Sequence, residues 1–276
     1  MSLITILGYE FFRNALLAGV IASIVCGVIG SFVVVKRMVS LAGGISHSAF
    51  GGIGLGYYLG IDPIAGAAGF AVASAAAIGH VRNTAHQNTD TMIGAIWSGG
   101  MALGILFVYL TPGFAPDLMS YLFGNILLVP FSEIVMMACL VAVILLSVFL
   151  FYNQLVAVTF DEEYASLMNI NSKAVMIFLL VLTALTVVVL IQVVGVILVI
   201  ALLALPVAIS REFTGKLGHM MVISAILGMI FTTGGIFASY FFDIPSGATI
   251  IILVSLVYLI LVISKRIKEK RKVFGT

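Results

Sequence analysis

Nine apolar stretches run along the chain: 14–35, 40–60, 63–81, 91–110, 131–151, 173–192, 194–210, 219–241 and 246–264. Each is long enough to carry an α-helix across a bilayer, which takes about 17–25 residues. Inside hydrocarbon no water satisfies the backbone, so each crossing must close its own hydrogen bonds, and such stretches become helices. The expectation is an all-α polytopic transmembrane bundle of about nine spans, with eight or ten also compatible, forming one transmembrane domain over 1–276. The shorter, mixed stretch 115–129 reads as a partial or re-entrant helix. Composition closes the soluble alternative. Of 276 residues, 62% are hydrophobic and 9% charged, against roughly 25% charged in soluble domains, and no soluble domain of this size hides so much apolar surface.

The charges lie at the edges of the spans. Alternation puts 36–39, 82–90, 152–172, 211–218 and the C-terminal tail on one face, which collects all the Lys and Arg residues except Arg13. The positive-inside rule makes that face cytoplasmic, with the N-terminus outside and the C-terminus inside. The tail Lys265-Arg266-Ile267-Lys268-Glu269-Lys270-Arg271-Lys272 directly follows an apolar segment. It reads as an anchor to anionic membrane lipid, and nucleic acid is not an expected partner. The first apolar run is itself long enough to span, so a cleavable leader is not expected. Cys26 and Cys139 sit in separate apolar runs without CxxC spacing and read as packing residues. On the outer face, Asp62-Pro63 and Asp243-Ile244-Pro245 read as tight turns whose carboxylates cap the following helices or greet an incoming cation.

Within the spans, ionisable groups are nearly confined to the ends. His47 is the exception: ten residues past Arg37, it lies ~15 Å into a layer ~30 Å thick. An imidazole at that depth marks a functional site, and here it reads as a stepping point for a metal ion. Around it, Gly43, Gly51, Gly52 and Gly56 suit close helix packing, or sliding of this helix as a path opens and closes. Pro206 is expected to kink the seventh span. Gln192-Val193-Val194-Gly195 reads as a short outer turn, with Gln192 a secondary polar contact.

A buried carboxylate chain able to carry a coupling ion is not visible, nor is a GxxxxGK[ST] phosphate loop, HExxH or GxSxG. The chain therefore reads as a non-enzyme that receives its energy from a partner. The receiving element is the cytoplasmic segment 159–171. Asp161, Glu162 and Glu163 suit a helix N-terminus, and Phe160, Tyr164, Leu167 and Met168 share one face. The segment either lies on the bilayer or serves as a docking knob, and three consecutive acids favour the knob.

The ordered set Arg37-Met38, Ser46-His47-Ser48-Ala49-Phe50-Gly51-Gly52, Met119-Ser120-Tyr121-Leu122-Phe123-Gly124-Asn125-Ile126-Leu127, the acidic segment from Phe160, Thr183-Ala184-Leu185-Thr186, Gln192-Val193-Val194-Gly195, Leu205-Pro206-Val207-Ala208 and Asp243-Ile244-Pro245-Ser246-Gly247 resembles the permeases of ATP-binding-cassette importers for zinc, manganese and iron. The resemblance implies a prokaryotic cell-membrane protein working as a homodimer, or in some cases a heterodimer, with the pathway at the subunit seam. It also implies separate ATPase subunits that receive the segment around 161–170, and an extracellular or periplasmic metal-binding protein that delivers the ion. The family often carries an aspartate four residues before this histidine, where this chain has Gly43.

One imidazole cannot complete a zinc shell of four ligands. Two copies would supply two, with Ser46 or water completing the set. Without a carboxylate at 43 the preference shifts towards zinc, manganese and iron remaining alternatives. No cofactor is expected to reside in the chain. A permease for a metal chelate such as a metallophore or cobalamin, and a non-transporting membrane scaffold, are the competing readings.

Overall fold

The structure, a computed structural model, describes residues 8–84, 89–113, 122 and 124–273. Most of the stretch 115–129 expected to be re-entrant, and His86, lie outside the described residues; a 3-10 turn at Ile126–Leu128 is described. The α-helices are α1 (Glu10–Val35), α2 (Val39–Leu59), α3 (Pro63–Thr84), α4 (Thr89–Leu110), α5 (Phe131–Leu150), α6 (Tyr152–Phe160), α7 (Glu162–Leu167), α8 (Ser172–Arg211), α9 (Leu217–Phe242) and α10 (Ser246–Val273). Among the described residues there is no strand.

Local chemistry sets the helix ends. Asp62 accepts hydrogen bonds from the amides of Ile64 (2.7 Å) and Ala65 (3.1 Å), so it caps α3 with Pro63 as the first helical residue. Asp243 does otherwise: it closes α9 in the left-handed region (φ 51°), so the cap expected for the following helix is a C-cap of the preceding one. Gly60, at φ 68°, ends α2, with the Ile61 amide returning to the Gly56 carbonyl at 3.0 Å.

As a straight rod, the 40 residues of α8 would reach ~60 Å, about twice the hydrocarbon thickness. Lys36, just past α1, and Arg82, near the end of α3, both reach Glu162, so those helices end on one face, the basic end. Gly30 of α1 packs on Leu203 and Val207, and Gly79 of α3 packs on Ile177 and Leu180. These two glycines stand at similar depth, so α8 passes that depth on both sides of Gly195 and doubles back there. Gly195 takes φ 75° and ψ 159°, a conformation open almost only to glycine. The break in helical geometry thus falls at the expected 192–195 turn, while Pro206 remains within the helix.

Eight segments are long and apolar enough to cross a membrane, the two limbs of α8 counting separately. The ninth, α2, is too rich in Gly, Ser and His to qualify, and its neighbours enclose it. Residues Leu41–Gly54 are all buried, with α3, α4 and α8 packed around them. The span windows of α1 and of both α8 limbs are 67% buried, against 22% for α4 and α10. The interior is therefore built of α2 together with α1 and both limbs of α8, with α4 and α10 on the outside.

Candidate functional site

His47 is the ninth residue of α2 and is 9% exposed. In a helix, side chains lean towards the N-terminus, so its ring lies over the turn that begins at Gly43. The Trp97 indole from α4 stacks on it, with ring centroids 4.1 Å apart and planes 12° from parallel. The same indole covers Gly43: a Cβ built there would meet Trp97 Cζ3 at 3.4 Å and Ile200 Cδ1 at 3.7 Å. Buried His47 Nδ1 has no hydrogen-bond partner among the described residues. Leaving a buried polar atom unpaired costs about 1–3 kcal/mol, so a group able to pair with it gains that much on arrival.

The hydroxyls beside the ring are engaged elsewhere. Ser46 Oγ donates to the Ala42 carbonyl at 2.9 Å and Ser48 Oγ to that of Ile45 at 2.8 Å. Both bonds lie within α2, so neither serine satisfies Nδ1, and Ser46 holds its proton against its own helix. The backbone of Gln192 belongs to the first limb of α8, but its side chain is outside what the structure describes. Among the described residues no three His, Cys, Asp or Glu side chains come together as a metal cage. His80 and His219 are exposed towards the basic end.

The glycines divide into two kinds. At Gly51 a Cβ would come within 2.8 Å of the Gly100 carbonyl, at Gly56 within 2.7 Å of Pro63 Cα, and at Gly52 against the Gly66 backbone. These three let α3 and α4 touch α2 backbone to backbone. Gly43 instead makes room for an aromatic side chain.

At the basic end, Asp161 caps α7, accepting from the amides of Glu163 (3.0 Å) and Tyr164 (2.9 Å). Glu162 turns inward, pairing with Lys36 at 2.7 Å and Arg82 at 2.9 Å. Burial raises its carboxyl pKa, but the Lys36 hydrogen bond and the two neighbouring cations outweigh that and hold it below the ordinary range. Lys36 also donates to the Val158 carbonyl at 2.7 Å. Ala165 is buried, whereas Phe160, Tyr164, Leu167 and Met168 stand 57–82% exposed, with Glu163 exposed beside them. The segment is an apolar knob whose first glutamate is a strut. The helix-start pattern of Asp161, Glu162 and Glu163 does not single out Glu162, because the two cations that claim it lie 80 or more residues away in the chain.

The sequence pattern did not reveal Trp97. Its only signal is that it is the one tryptophan in the chain. Tryptophan is common at membrane interfaces, and nothing local says that this one meets His47.

Residues 8–265 match the ABC 3 transport family. An uncharacterised membrane protein of Synechocystis is 43% identical over 94% of this chain and 92% of its own length. A probable metal transport system membrane protein of Chlamydia trachomatis is 39% identical over 91% and 88%. The manganese transport system membrane protein MntC of Listeria monocytogenes is 34% identical over 91% and 90%. The zinc uptake membrane protein ZnuB of Haemophilus influenzae is 28% identical over 88% and 94%. Among solved structures, PsaBC of Streptococcus pneumoniae, determined in complex with a Fab, superposes with a TM-score of 0.84 at 31% identity, covering 93% of each chain.

Proposed function

Because the chain belongs to the ABC 3 transport family, we propose that it carries a divalent transition metal, zinc in preference to manganese or iron, inward past His47. It is a multi-pass prokaryotic membrane permease and not an enzyme; ATP hydrolysis belongs to a separate chain. Relatives bear the names of both manganese and zinc systems, which supports a divalent metal as cargo. The observation that carries the reading is the buried Nδ1 of His47, without a partner among the described residues, on a helix enclosed by α3, α4 and α8.

A neutral imidazole is a borderline donor suited to zinc, and the absence of a carboxylate beside it disfavours the harder manganese ion. One ring is too few, so two copies of this chain face each other and contribute one His47 each. The exposed face of α4 next to Trp97 supports this arrangement. Gly94 and Gly99 there have nothing within 4 Å of where a Cβ would stand, so a second helix can approach closely. A weak, half-hydrated site suits a conduit, since the ion must leave as readily as it enters. The N-terminus lies outside, where a metal-binding protein hands over the ion, and the basic end lies inside.

There the knob of Phe160, Tyr164, Leu167 and Met168 docks into the ATPase. Its motion passes through Glu162 to Lys36, three residues before the start of α2. The test is uptake into vesicles holding the permease and its ATPase. ATP-dependent zinc entry is expected, and His47→Ala abolishes it; entry unchanged by that substitution removes the site.

A further inference from the structure

We propose that Trp97 is the positioning residue of His47 and sets which metal the pathway accepts. This rests on the reading of His47 as a ligand. A ligating histidine is ordinarily oriented by a hydrogen bond from its second ring nitrogen to a carboxylate, carbonyl or water. Here no hydrogen bond is described at either ring nitrogen, so whichever one the ion leaves has no such support among the described residues, and neighbouring Ser46 and Ser48 bond their own helix. What contacts the ring is the Trp97 face, 4.1 Å away and nearly parallel.

Stacking fixes the plane of an imidazole and leaves its edge free. Because nitrogen lone pairs lie in that plane, the indole aims them without covering them. A flat neighbour thus does the orienting that a hydrogen bond does elsewhere.

The second consequence concerns Gly43. Residues four apart on a helix share a face, so a side chain at 43 would project alongside the His47 ring. A Cβ there would rest in ordinary contact on the Trp97 indole, 3.4 Å from Cζ3. A carboxylate beyond that Cβ would share the space beside the His47 ring with the indole. Gly43 and Trp97 therefore work as a pair: a bare backbone and a large aromatic that keep anionic oxygen away from the ion. That favours borderline zinc over manganese. Trp97 also retains 37% exposure, which leaves its outer edge open to the pathway side of α4.

As the sole tryptophan, Trp97 reports on this site directly. Zinc added to the purified permease in lipid nanodiscs changes its emission saturably, and His47→Ala removes the zinc-dependent change. In vesicles containing the ATPase, Trp97→Ala lowers zinc uptake roughly tenfold or more, the usual cost of losing a ligand's support, and narrows the preference for zinc over manganese. Trp97→Phe keeps a stacking face and restores both. Gly43→Asp alone loses uptake, while Gly43→Asp combined with Trp97→Ala recovers it with manganese now preferred.

Trp97→Ala with the wild-type rate and metal ratio, or wild-type emission indifferent to zinc, overturns the proposal. If His47→Ala still stops uptake in that case, only the role of Trp97 falls. If His47→Ala leaves uptake intact, the ligand reading falls with it. Should Trp97→Ala not assemble, the emission titration of the wild-type protein decides.

Discussion

His47 and Glu162 are both polar side chains drawn into an apolar protein, and their surroundings are opposite. Glu162 has two cations within 3 Å and a carboxyl held ionised. His47 has an aromatic face and a buried nitrogen with no partner among the described residues. A group whose bonding is complete serves as structure, because displacing it costs free energy. A group left incomplete carries a standing penalty that only an incoming species relieves. One chain thus holds a strut at its basic end and a vacancy at its centre, and substitutions at the two should separate stability from transport in opposite directions.

The largest effect is expected at His47. His47→Phe keeps a ring against Trp97 and deletes the unpaired nitrogen. It should abolish metal uptake while the thermal midpoint holds or rises, since an apolar replacement of a buried unsatisfied group recovers about 1–3 kcal/mol. Uptake assays together with thermal unfolding of the same preparation check this. A variant that loses stability and transport together would place His47 in the same class as Glu162 and dissolve the contrast.

Next comes Glu162→Lys, which sets a third cation against Lys36 and Arg82. Breaking a buried pair costs about 3–5 kcal/mol, and the partial exposure here reduces that to about 2 kcal/mol. ATP hydrolysis should then proceed without uptake, because α7 no longer grips Lys36 in the link between α1 and α2. Glu163→Lys, at an exposed position, should weaken ATPase affinity without a change in thermal stability. Equal effects at 162 and 163 would mean that the strut is not the link.

A smaller, pH-dependent effect follows from the same ion pairs. The folded Glu162 carboxyl titrates below its unfolded value. Its contribution is therefore complete above the ordinary glutamate range, near pH 4.3, and is lost as pH falls through the lower folded value. Glu162→Gln should lower the midpoint at neutral pH and flatten its decline in acid. Midpoints of both proteins between pH 3 and 7 measure this, and parallel curves would remove Glu162 as the titrating group.

Much of this could be read from the chain and some could not, for a physical reason. Apolar runs report span positions because the bilayer acts on local composition. The 194–210 stretch was separable from 173–192 because Gln192-Val193-Val194-Gly195 reads as a turn, and the break in helical geometry falls at its last residue, Gly195. The inward turn of Glu162 and the indole over Gly43 depend on which helices meet, and a linear pattern carries no such information. Asp243 shows the limit at short range too. Asp-Ile-Pro reads like Asp62-Pro63, yet the residue inserted before the proline puts the acid at the end of one helix and not the start of the next.

Asp62 offers the smallest effect and a separate check on where the ion is handled. It lies at the opposite end of the bundle from Glu162, exposed, with its carboxylate accepting from the Ile64 and Ala65 amides. Capping α3 uses Oδ1, which accepts from both amides, whereas attracting a cation uses the charge of the whole carboxylate, and charge distinguishes the two. Asp62→Asn keeps an acceptor for the amides and removes the charge; Asp62→Ala removes both. Capping alone predicts a loss of about 1 kcal/mol for alanine and little for asparagine, with metal uptake unchanged in both. Reception of the ion predicts slower uptake for asparagine and alanine alike at low metal concentration. Because Oδ1 is already bonded to two amides at the helix start, Asp62 resembles Glu162 more than His47, and the capping outcome is the expected one.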